Sequence, residues 1–393
     1  MNKIPNGWKE KKLKYIAEIT SSKRIYEYEY VDSGIPFYRG KEITALKNNQ
    51  KIENFIYISE KRYNELKEKY GVPSKYDILI TAVGTVGNAY TIEDDKPFYF
   101  KDGNLLWLKN IKEYPKFVEY LFECNKNILL NNFFGSVQHA LTISRLENLT
   151  FYFPPLDEQK RIASALSKID AYLENTIKLI EEKERFKRGI AKKLLTCKEV
   201  ENIPEARFKG FEDEWKETQI LEFVNNNIIK IEKGKSITKS KIEEGDIPVI
   251  AGGKTPPYYH NKYNYNFPCI TISASGSAGY VWFHDYKIWA SNCHVIYTYN
   301  KRYNIKFLYH YLKNIQDLIY YLQVGGVQKH VYAKDLIKLN IPNITIEEQE
   351  KIGGYLSLLD AEIDNLKKQK ELIKEMKRGA MQKLLSGEVR LLE

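Results

Sequence analysis

The second half of the 393-residue chain repeats the first half, and this duplication limits the possible folds more than any other feature. From about residue 100 to residue 197, a single offset of 190 positions carries Phe117 onto Phe307 and Asp170 onto Asp360. Upstream the offset drifts to 192 at residues 80–87 and to larger values nearer the start. Each half therefore combines a variable block with a nearly constant block. A repeat unit of this length predicts two similar domains rather than a solenoid of short repeats.

The two constant blocks, residues 157–196 and 346–386, have the apolar spacing of long helices. Apolar residues recur every three or four positions, as in the seam of a coiled coil. Thr345 and Glu348 have the spacing of a capping box, and Gly387 is suited to end the second helix. The residues that we expect to pack the two helices together are Ile162, Leu166, Ile169, Leu173, Ile177, Ile180, Ile352, Leu356, Leu359, Ile363, Leu366 and Ile373.

A helix of about 40 residues is about 60 Å long, and its apolar stripe needs a partner. The other copy is the nearest partner available. Because the second variable block lies between the two helices in sequence, the chain has to return along the first helix, which makes the pair antiparallel and the molecule pseudo-twofold. The alternative is that each helix dimerises with a second chain. The duplication favours the internal pair.

The variable blocks mix short strand-like and helix-like runs, so the predicted fold class is α+β. Residues 76–80 and 267–272 resemble strands that enter glycine-rich turns, whereas residues 117–130 and 307–322 resemble helices with an aromatic buried side. The predicted organisation is two similar globular domains and two long antiparallel helices that form a coiled coil. The predicted boundaries are 1–155 and 198–344 for the globular domains, and 156–197 and 345–393 for the helices.

Two short motifs recur in both variable blocks. The turns at residues 84–87 and 276–279 combine glycines with small hydroxyl residues, and such turns can approach a phosphate or a groove closely. The segments 135–139 and 325–330 add a glutamine, which can pair with adenine through two hydrogen bonds. The alternative interpretation is that the first motif is only a tight turn and the second only positions the following strand.

Basic residues lie near these motifs and could contact phosphates, although a single surface lysine is more often simply solvated. The candidate DNA-contacting residues are Lys23, Arg24, Arg39, Lys41, Thr81, Thr85, Gln138 and His139 in the first block, and Lys235, Lys254, Ser273, Ser275, Ser277, Gln328, Lys329 and His330 in the second.

The composition agrees with an anionic polymer or an anionic surface as partner, and the alternative is a soluble protein that is simply rich in lysine. The net charge is +10, and the four cysteines show no CxxC spacing, so neither a zinc site nor a redox pair is indicated. Free thiols suit a reducing cytoplasm, and we expect this location because the N-terminal residues lack the apolar core of a signal peptide. No apolar run approaches the roughly 20 residues that a membrane span requires. We therefore expect no membrane association, metal or cofactor.

The sequence lacks the signatures of a phosphate-binding loop, an amino-methyltransferase and a metal-dependent nuclease. Gly234-Lys235-Ser236 resembles the end of a phosphate-binding loop, but the loop also needs a glycine at the position of Ile229. The residue before Pro154-Pro155 is Phe153, not the Asn or Asp of an amino-methyltransferase motif. The acidic pair Asp157-Glu158 opens a helix, where such charges offset the helix dipole rather than bind a metal. We therefore expect a chain without catalytic residues.

The whole layout resembles the specificity subunits of type I restriction–modification systems. The residues that carry the resemblance are the helix starts at 154–162 and 346–352, the helix ends at 187–196 and 381–387, the segment 326–330, and Gly7-Trp8. The resemblance covers nearly the whole chain. It implies that the globular blocks are target-recognition domains, each reading one half of a split, asymmetric site in double-stranded DNA.

The resemblance also implies the partners. The helices would set the gap between the half-sites and dock two methyltransferase subunits, and restriction subunits would join them. S-adenosylmethionine, ATP and Mg²⁺ would bind to these partners, not to this chain. Two alternatives remain open: a non-catalytic coiled-coil scaffold with two protein-binding heads, and a stand-alone methyltransferase or nuclease.

Overall fold

The computed structural model describes residues 5–130, 140–198, 201–299 and 302–392. The chain divides into two compact units. The first unit comprises Met1–Asn175 with Lys370–Glu393, and the second comprises Thr176–Gln369. Each of two long helices contributes one part to each unit.

The first unit begins with a globular part of short strands and helices and continues into the first long helix. Its elements are β1 (Lys9–Lys12), α1 (Leu13–Ile16), β2 (Glu18–Thr20), β3 (Tyr30–Val31), β4 (Ile35–Tyr38), α2 (Gly40–Lys47), β5 (Ile56–Ile58), α3 (Glu60–Tyr70), β6 (Ile78–Thr81), β7 (Ala89–Thr91), β8 (Tyr99–Phe100), β9 (Leu105–Lys109), α4 (Pro115–Cys124), α5 (Lys126–Leu130), α6 (Ile143–Asn148), β10 (Thr150–Phe153) and α7 (Leu156–Leu195).

The globular part of the second unit follows α7, and the second long helix follows that part. Its elements are β11 (Lys216–Gln219), α8 (Ile220–Asn225), β12 (Ile229–Lys233), β13 (Ile247–Ile250), β14 (Tyr258–His260), β15 (Cys269–Ser273), β16 (Val281–His284), β17 (Trp289–Ala290), β18 (Cys293–Thr298), α9 (Ile305–Asn314), α10 (Gln316–Tyr321), α11 (Ala333–Leu336), β19 (Asn340–Asn343) and α12 (Ile346–Leu385).

The sheets of the two units correspond to each other. In the first unit the strand orders are β1-β10, β2-β9-β6-β7 and β3-β5-β4-β8. In the second they are β11-β19, β12-β18-β15-β16 and β14-β13-β17. The parallel pair β4–β8 has its counterpart in the parallel pair β13–β17, and all other pairs are antiparallel. The described part of the chain is thus a mixed helix and strand fold that occurs twice, as the duplication predicts.

Some strands and helices of the globular parts have boundaries that differ slightly from those predicted. The strand predicted at 76–80 begins at Ile78 because Tyr76 adopts a left-handed φ of +75° in the preceding turn. The helix predicted at 117–130 is two helices that break at Asn125, whose side-chain amide donates to the carbonyl of Leu121 at 2.9 Å. The helix predicted at 307–322 is likewise two helices, which meet at Ile315.

The two long helices are confirmed, and each spans 40 residues. The amide N–H of Glu348 donates to Thr345 Oγ1 at 3.4 Å, which forms one half of the predicted capping box. Gly387 follows α12 with a φ of +73°, a conformation that glycine adopts without strain.

Most of the predicted packing residues face inward. Eleven of the twelve are buried or half-buried, and the members at the helix starts join the cores of their own units: Ile162 and Leu166 in the first, Ile352 and Leu356 in the second. Ile177 is the exception, since 37% of it is exposed whereas Thr176 is 6% exposed. Two successive steps of four residues, from Ile169 to Leu173 to Ile177, overrun a helix turn of 3.6 residues and rotate Ile177 toward the exposed side of α7.

Each unit contains an ion pair between an arginine and a buried glutamate. In the second unit, Arg207 donates to both carboxylate oxygens of Glu348, at 2.8 and 2.9 Å. In the first unit, Arg390 does the same to Glu158, at 2.6 and 2.8 Å. Glu158 and Glu348 are related by the repeat offset of 190, and both are almost completely buried. The two copies therefore keep the same bidentate contact at the start of each long helix.

Candidate nucleic-acid interface

The glycine turn of the first unit follows β6 and is shaped by Thr81. Gly84 and Gly87 have φ values of +77° and +83°, so both need the freedom of glycine. Thr81 is fully buried; its hydroxyl donates to the carbonyl of Thr85 and accepts from the amide of Asn88 at 2.9 Å. Thr81 therefore holds the turn, and only Thr85 presents its hydroxyl at the surface.

The start of α2 lies against this turn. Thr85 Oγ1 is 3.4 Å from Thr44 Oγ1, and a Cβ built on Gly40 would lie 3.6 Å from the Thr81 methyl group. Arg39 and Lys41 flank Gly40 in sequence and therefore lie close to the turn. These residues and the turn can thus belong to one surface.

The basic candidates of the first unit are largely engaged by carboxylates. The Arg39 guanidinium donates to both carboxylate oxygens of Glu42, at 2.7 and 3.2 Å. Lys41 Nζ lies 3.6 Å from the same carboxylate. Burial raises the pKa of Glu42, but the hydrogen bonds and charge of Arg39 outweigh this effect and keep the pKa low. Arg24 pairs with Asp102 at 2.9 Å. Lys23 differs, because its ammonium lies 4.9 Å from the centre of the Tyr70 ring.

The corresponding turn of the second unit repeats this construction with different side chains. Gly276 and Gly279 have φ values of +71° and +86°. Ser273 and Ser275 are buried: the first donates to the carbonyl of Ala251 at 3.4 Å, and the second accepts from Asn292. Both serines hold the turn in place, as Thr81 does in the first unit.

Three loops meet at the turn of the second unit. The amide of Ser277 donates to the carbonyl of Gly252 at 2.7 Å, which brings the loop that carries Lys254 against the turn. The amide of Val331 donates to the carbonyl of Ala274 at 3.0 Å and brings in the segment 324–330. The structure therefore gathers both recurring motifs and a lysine on one surface.

The segment 324–330 presents its polar residues to solvent. Val324 and His330 pair through their backbones at 2.8 and 2.9 Å, and between them Gln328 and Lys329 are exposed. The His330 ring stacks on Tyr332 with 6.2 Å between ring centres. The counterparts Gln138 and His139 lie outside the described residues. Just after them, the amide of Leu141 donates to the carbonyl of Ala82 at 2.9 Å, the same contact that Val331 makes.

The lysines of this surface include one that the sequence did not single out. Lys313 Nζ lies 4.1 Å from the centre of the Tyr280 ring, and Lys254 Nζ lies 5.7 Å from the same ring. Burial, with the charges of Lys187 and Lys254, lowers the pKa of Lys313 to about 8. At the offset of 190 its counterpart is Glu123. This reversal of charge between the two copies is the sequence feature that could have identified Lys313 as a candidate.

The predicted candidate Lys235 is exposed, and its backbone carbonyl accepts a hydrogen bond from the Trp289 side chain at 2.9 Å.

The surface offers hydrogen-bond donors, hydroxyls, an amide and cations, which are the groups that contact nucleic acid. Among the described residues, no cluster of three or more histidine, cysteine or acidic side chains could hold a metal ion. Cys269 and Cys293 are buried, and burial raises the pKa of each thiol to about 12. No helix in the described part of the chain has the length and apolar character of a membrane span.

Comparison with known proteins gives a consistent result. A family model described as the type I restriction modification DNA specificity domain matches twice, at residues 5–182 and 212–375. A putative type I restriction enzyme specificity subunit of Methanocaldococcus jannaschii is 27% identical over 100% of this chain and 96% of that protein. A putative specificity subunit of Haemophilus influenzae is 34% identical over 41% of this chain and 40% of its own length.

Solved structures share the fold. The crystal structure of a type I restriction–modification S subunit from M. genitalium superimposes with a TM-score of 0.67 at 20% identity, over 98% of this chain and 97% of that one. A chain from a structure on assembly and conformational transition of the type I system gives 0.57 at 16% identity, over 99% of this chain and 100% of that one.

Proposed function

The chain belongs to the type I restriction–modification DNA specificity family, and on that premise we propose how its two units divide the reading of DNA. Each unit reads one half of a two-part site in double-stranded DNA. The observation that carries this proposal is that the same sheet frame occurs twice, with equivalent glycine turns that present different side chains. Because the sheet frame is shared, both units would dock on DNA in the same way. Because the side chains differ, each unit would recognise a different DNA sequence.

The asymmetry of the site follows from the difference in charge. Lys254 lies beside the turn of the second unit, and among the described residues no carboxylate pairs with it. In the first unit the equivalent position is Glu42, at the offset of 212 that carries Ile35-Pro36 onto Ile247-Pro248, and Arg39 engages it. Two half-sites bound by such different surfaces have different sequences, so the complete site is asymmetric.

We assign to the two long helices the role of a spacer that pairs as an antiparallel coiled coil. Within the second unit, Lys183 lies 2.7 Å from Glu362, and Lys187 forms an ion pair with Asp360. The residue numbers thus fall on α12 as they rise on α7, which is the antiparallel order. A helix of this length, about 60 Å, corresponds to about 17 base pairs at 3.4 Å each, an upper limit for the gap between half-sites.

The chain itself carries out recognition rather than catalysis. The proposed partners are two methyltransferase subunits, which bind S-adenosylmethionine and methylate adenine, and restriction subunits, which use ATP and Mg²⁺. The chain would position the target adenine for them in the cytoplasm. The alternative, a scaffold with two protein-binding heads, predicts that the purified chain does not retain DNA. Methylation or cleavage by the chain alone would contradict the proposal.

Salt titration of DNA binding tests the recognition step. Affinity should fall steeply with salt, and Lys254→Ala should reduce the slope of log affinity against log salt by about 1 because one phosphate contact is lost. Lys262→Ala is the matched control, since Lys262 is also exposed in the second unit but pairs with Glu243 at 3.0 Å. Equal slopes for both variants would exclude Lys254 from the interface.

A second variant separates base reading from phosphate binding. Gln328→Ala should cost about 1–3 kcal/mol of discrimination at one base pair and leave the other half-site unaffected. A loss of affinity that is equal for all sequences would show instead that Gln328 contacts only the backbone of the DNA.

A further inference from the structure

Around the glycine turns, four positions carry a lysine in the second unit and a glutamate in the first. The offset of 212, which also relates β4 to β13, relates three of these pairs, and the offset of 190 relates the fourth. The pairs are Lys239 and Glu27, Lys241 and Glu29, Lys254 and Glu42, and Lys313 and Glu123.

This reversal of charge is local. Residues 1–155 contain 23 basic and 19 acidic side chains and residues 198–345 contain 19 and 15, so both parts have a net charge of +4. The two globular parts therefore differ in where their charges lie and not in how much charge they carry.

Two of the lysines lie in a segment that is held beside the glycine turn of the second unit. Lys239–Lys241 form one turn of 3-10 helix. Just before them, the amide of Ile237 donates to Ser291 Oγ at 3.3 Å. The next residue, Asn292, donates from its side chain to Ser275 Oγ in the glycine turn. The segment and the turn thus share one surface.

The equivalent segment of the first unit is held in the same way. Glu27–Glu29 also form one turn of 3-10 helix. Before them, Ser21 Oγ accepts from the amide of Gly103 at 3.4 Å. The carbonyl of Asn104 accepts from the amide of Ala82 at the glycine turn, at 2.8 Å. The lysines and the glutamates therefore occupy equivalent places in the two units.

The four lysines remain available to an anion. In the described ranges none of them forms an ion pair, and three are exposed whereas Lys313 is half-buried. Lys239 Nζ lies 5.9 Å from the centre of the Tyr258 ring. Lys254 and Lys313 lie 5.7 and 4.1 Å from the centre of one ring, that of Tyr280, so two positive charges approach each other there.

The glutamates of the first unit have the opposite effect, because three of them pair with basic residues. These ion pairs are Arg62 with Glu29 at 2.9 Å, Arg39 with Glu42 at 2.7 Å, and Lys47 with Glu123 at 3.1 Å. The fourth, Glu27, is exposed, and it forms no ion pair in the part of the chain that the structure describes. The surface of the first unit therefore offers few charges that could neutralise phosphates.

We propose that the second unit is the DNA anchor of this chain: its four lysines make most of the phosphate contacts that do not depend on sequence, and the first unit makes few. The inference rests on the proposed function, because it requires the surface around each glycine turn to face DNA. Phosphate contacts hold a duplex of any sequence, whereas base contacts add affinity only at a matching site. On any duplex the second unit therefore engages first, and the first unit follows where its half-site matches.

The salt dependence of DNA binding measures this division. Each neutralised phosphate contributes about 0.9 to the slope of log affinity against log salt concentration. The full-length chain is titrated with a duplex of random sequence, which reports the phosphate contacts alone. The anchor variant removes the three exposed lysines of the second unit and combines Lys239→Gln, Lys241→Gln and Lys254→Gln.

A matched variant removes three exposed cations from the equivalent surface of the first unit and combines Lys23→Gln, Arg24→Gln and Lys41→Gln. The anchor variant should lower the slope by about 3, whereas the matched variant should lower it by about 1 or less. The smaller effect is expected because Asp102 and Glu42 already offset the charges of Arg24 and Lys41. Both variants should melt with the unmodified chain, since substitutions of exposed residues seldom change stability.

A gain of binding provides a second measurement that partial unfolding cannot imitate. Glu27→Lys gives the first unit the charge that Lys239 gives the second, and it breaks no ion pair in the described ranges. The slope on the random duplex should become steeper by about 1 because one phosphate contact is added. An unchanged slope would contradict the inference, since these positions would then not face phosphates.

Three outcomes separate the inference from the proposed function. Equal losses of slope in the anchor and matched variants, or a larger loss in the matched variant, would overturn the inference and leave the proposed function standing. A steep slope that neither variant lowers would also overturn the inference, because other residues would then hold the DNA. An unmodified chain whose DNA binding does not respond to salt would overturn the proposed function as well.

Discussion

Two adjacent glycines in α12 should respond in opposite directions to the same substitution. Gly353→Ala places a Cβ 2.6 Å from the amide nitrogen of Phe307 and 3.0 Å from Asn304 Oδ1. That oxygen accepts from the Phe307 amide at 2.9 Å and caps α9, so the new methyl group enters the cap itself. Gly354→Ala meets no heavy atom within 4 Å. The first variant should be less stable than the unmodified chain, and the second more stable.

The magnitudes follow from helix propensity and steric cost. Alanine gains about 1 kcal/mol over glycine in a helix interior, and Gly354→Ala should keep this gain in full. Gly353→Ala makes the same gain but overpacks the contact, which typically costs about 1–3 kcal/mol, and weakens a cap worth about 1 kcal/mol. The two variants should therefore differ by roughly 2–4 kcal/mol.

Thermal unfolding of the two variants measures this difference. For a unit of this size, about 1 kcal/mol shifts the melting temperature by roughly 2–4 °C. Gly354→Ala should raise the transition of the second unit by that amount, and Gly353→Ala should lower it by a similar amount or more. Equal shifts of the same sign in both variants would refute the reasoning from close packing.

Three further predictions concern other groups. Arg207→Ala should destabilise the second unit by about 3–5 kcal/mol in chemical denaturation, because it leaves the buried Glu348 carboxylate without its bidentate partner; a change below about 1 kcal/mol would show that the pair contributes little. Lys313 has a pKa lowered to about 8 by burial and by neighbouring lysines, so it is charged below that pH and neutral above it. DNA affinity should therefore fall between pH 7 and pH 9, and Lys313→Arg, which stays charged, should remove that fall; an unchanged fall would place Lys313 away from the DNA. Finally, alkylation of the native chain near pH 8 should leave Cys269 and Cys293 unmodified because burial raises both pKa values to about 12, and rapid labelling of either, detected by mass spectrometry, would contradict that burial.

The long helices were predictable because a regular apolar pattern over 40 residues has few alternatives. Burial departs from the apolar pattern at Ile177, where a polar residue, Thr176, takes the inward position. Periodicity that counts apolar residues alone cannot find a buried threonine. The strand starts also shifted by a residue or two, because turn geometry such as the left-handed Tyr76 is decided by local hydrogen bonds.

The site was predictable as a set of loops but not atom by atom. The glycine turns marked the right places, yet Thr81, Ser273 and Ser275 proved to be internal supports. Thr81 and Ser273 end strands that are buried on both faces, and sequence composition does not reveal this. The carboxylate partner of Arg24, Asp102, is 78 positions away in sequence, so its pairing required the fold.

Expression of the chain with the methyltransferase subunit of its system, followed by mapping of methyladenine across host DNA, tests the account most directly. One new methylated motif is expected, with two unlike halves separated by a fixed gap of at most about 17 base pairs. A methyltransferase complex that forms but leaves no such motif would contradict it.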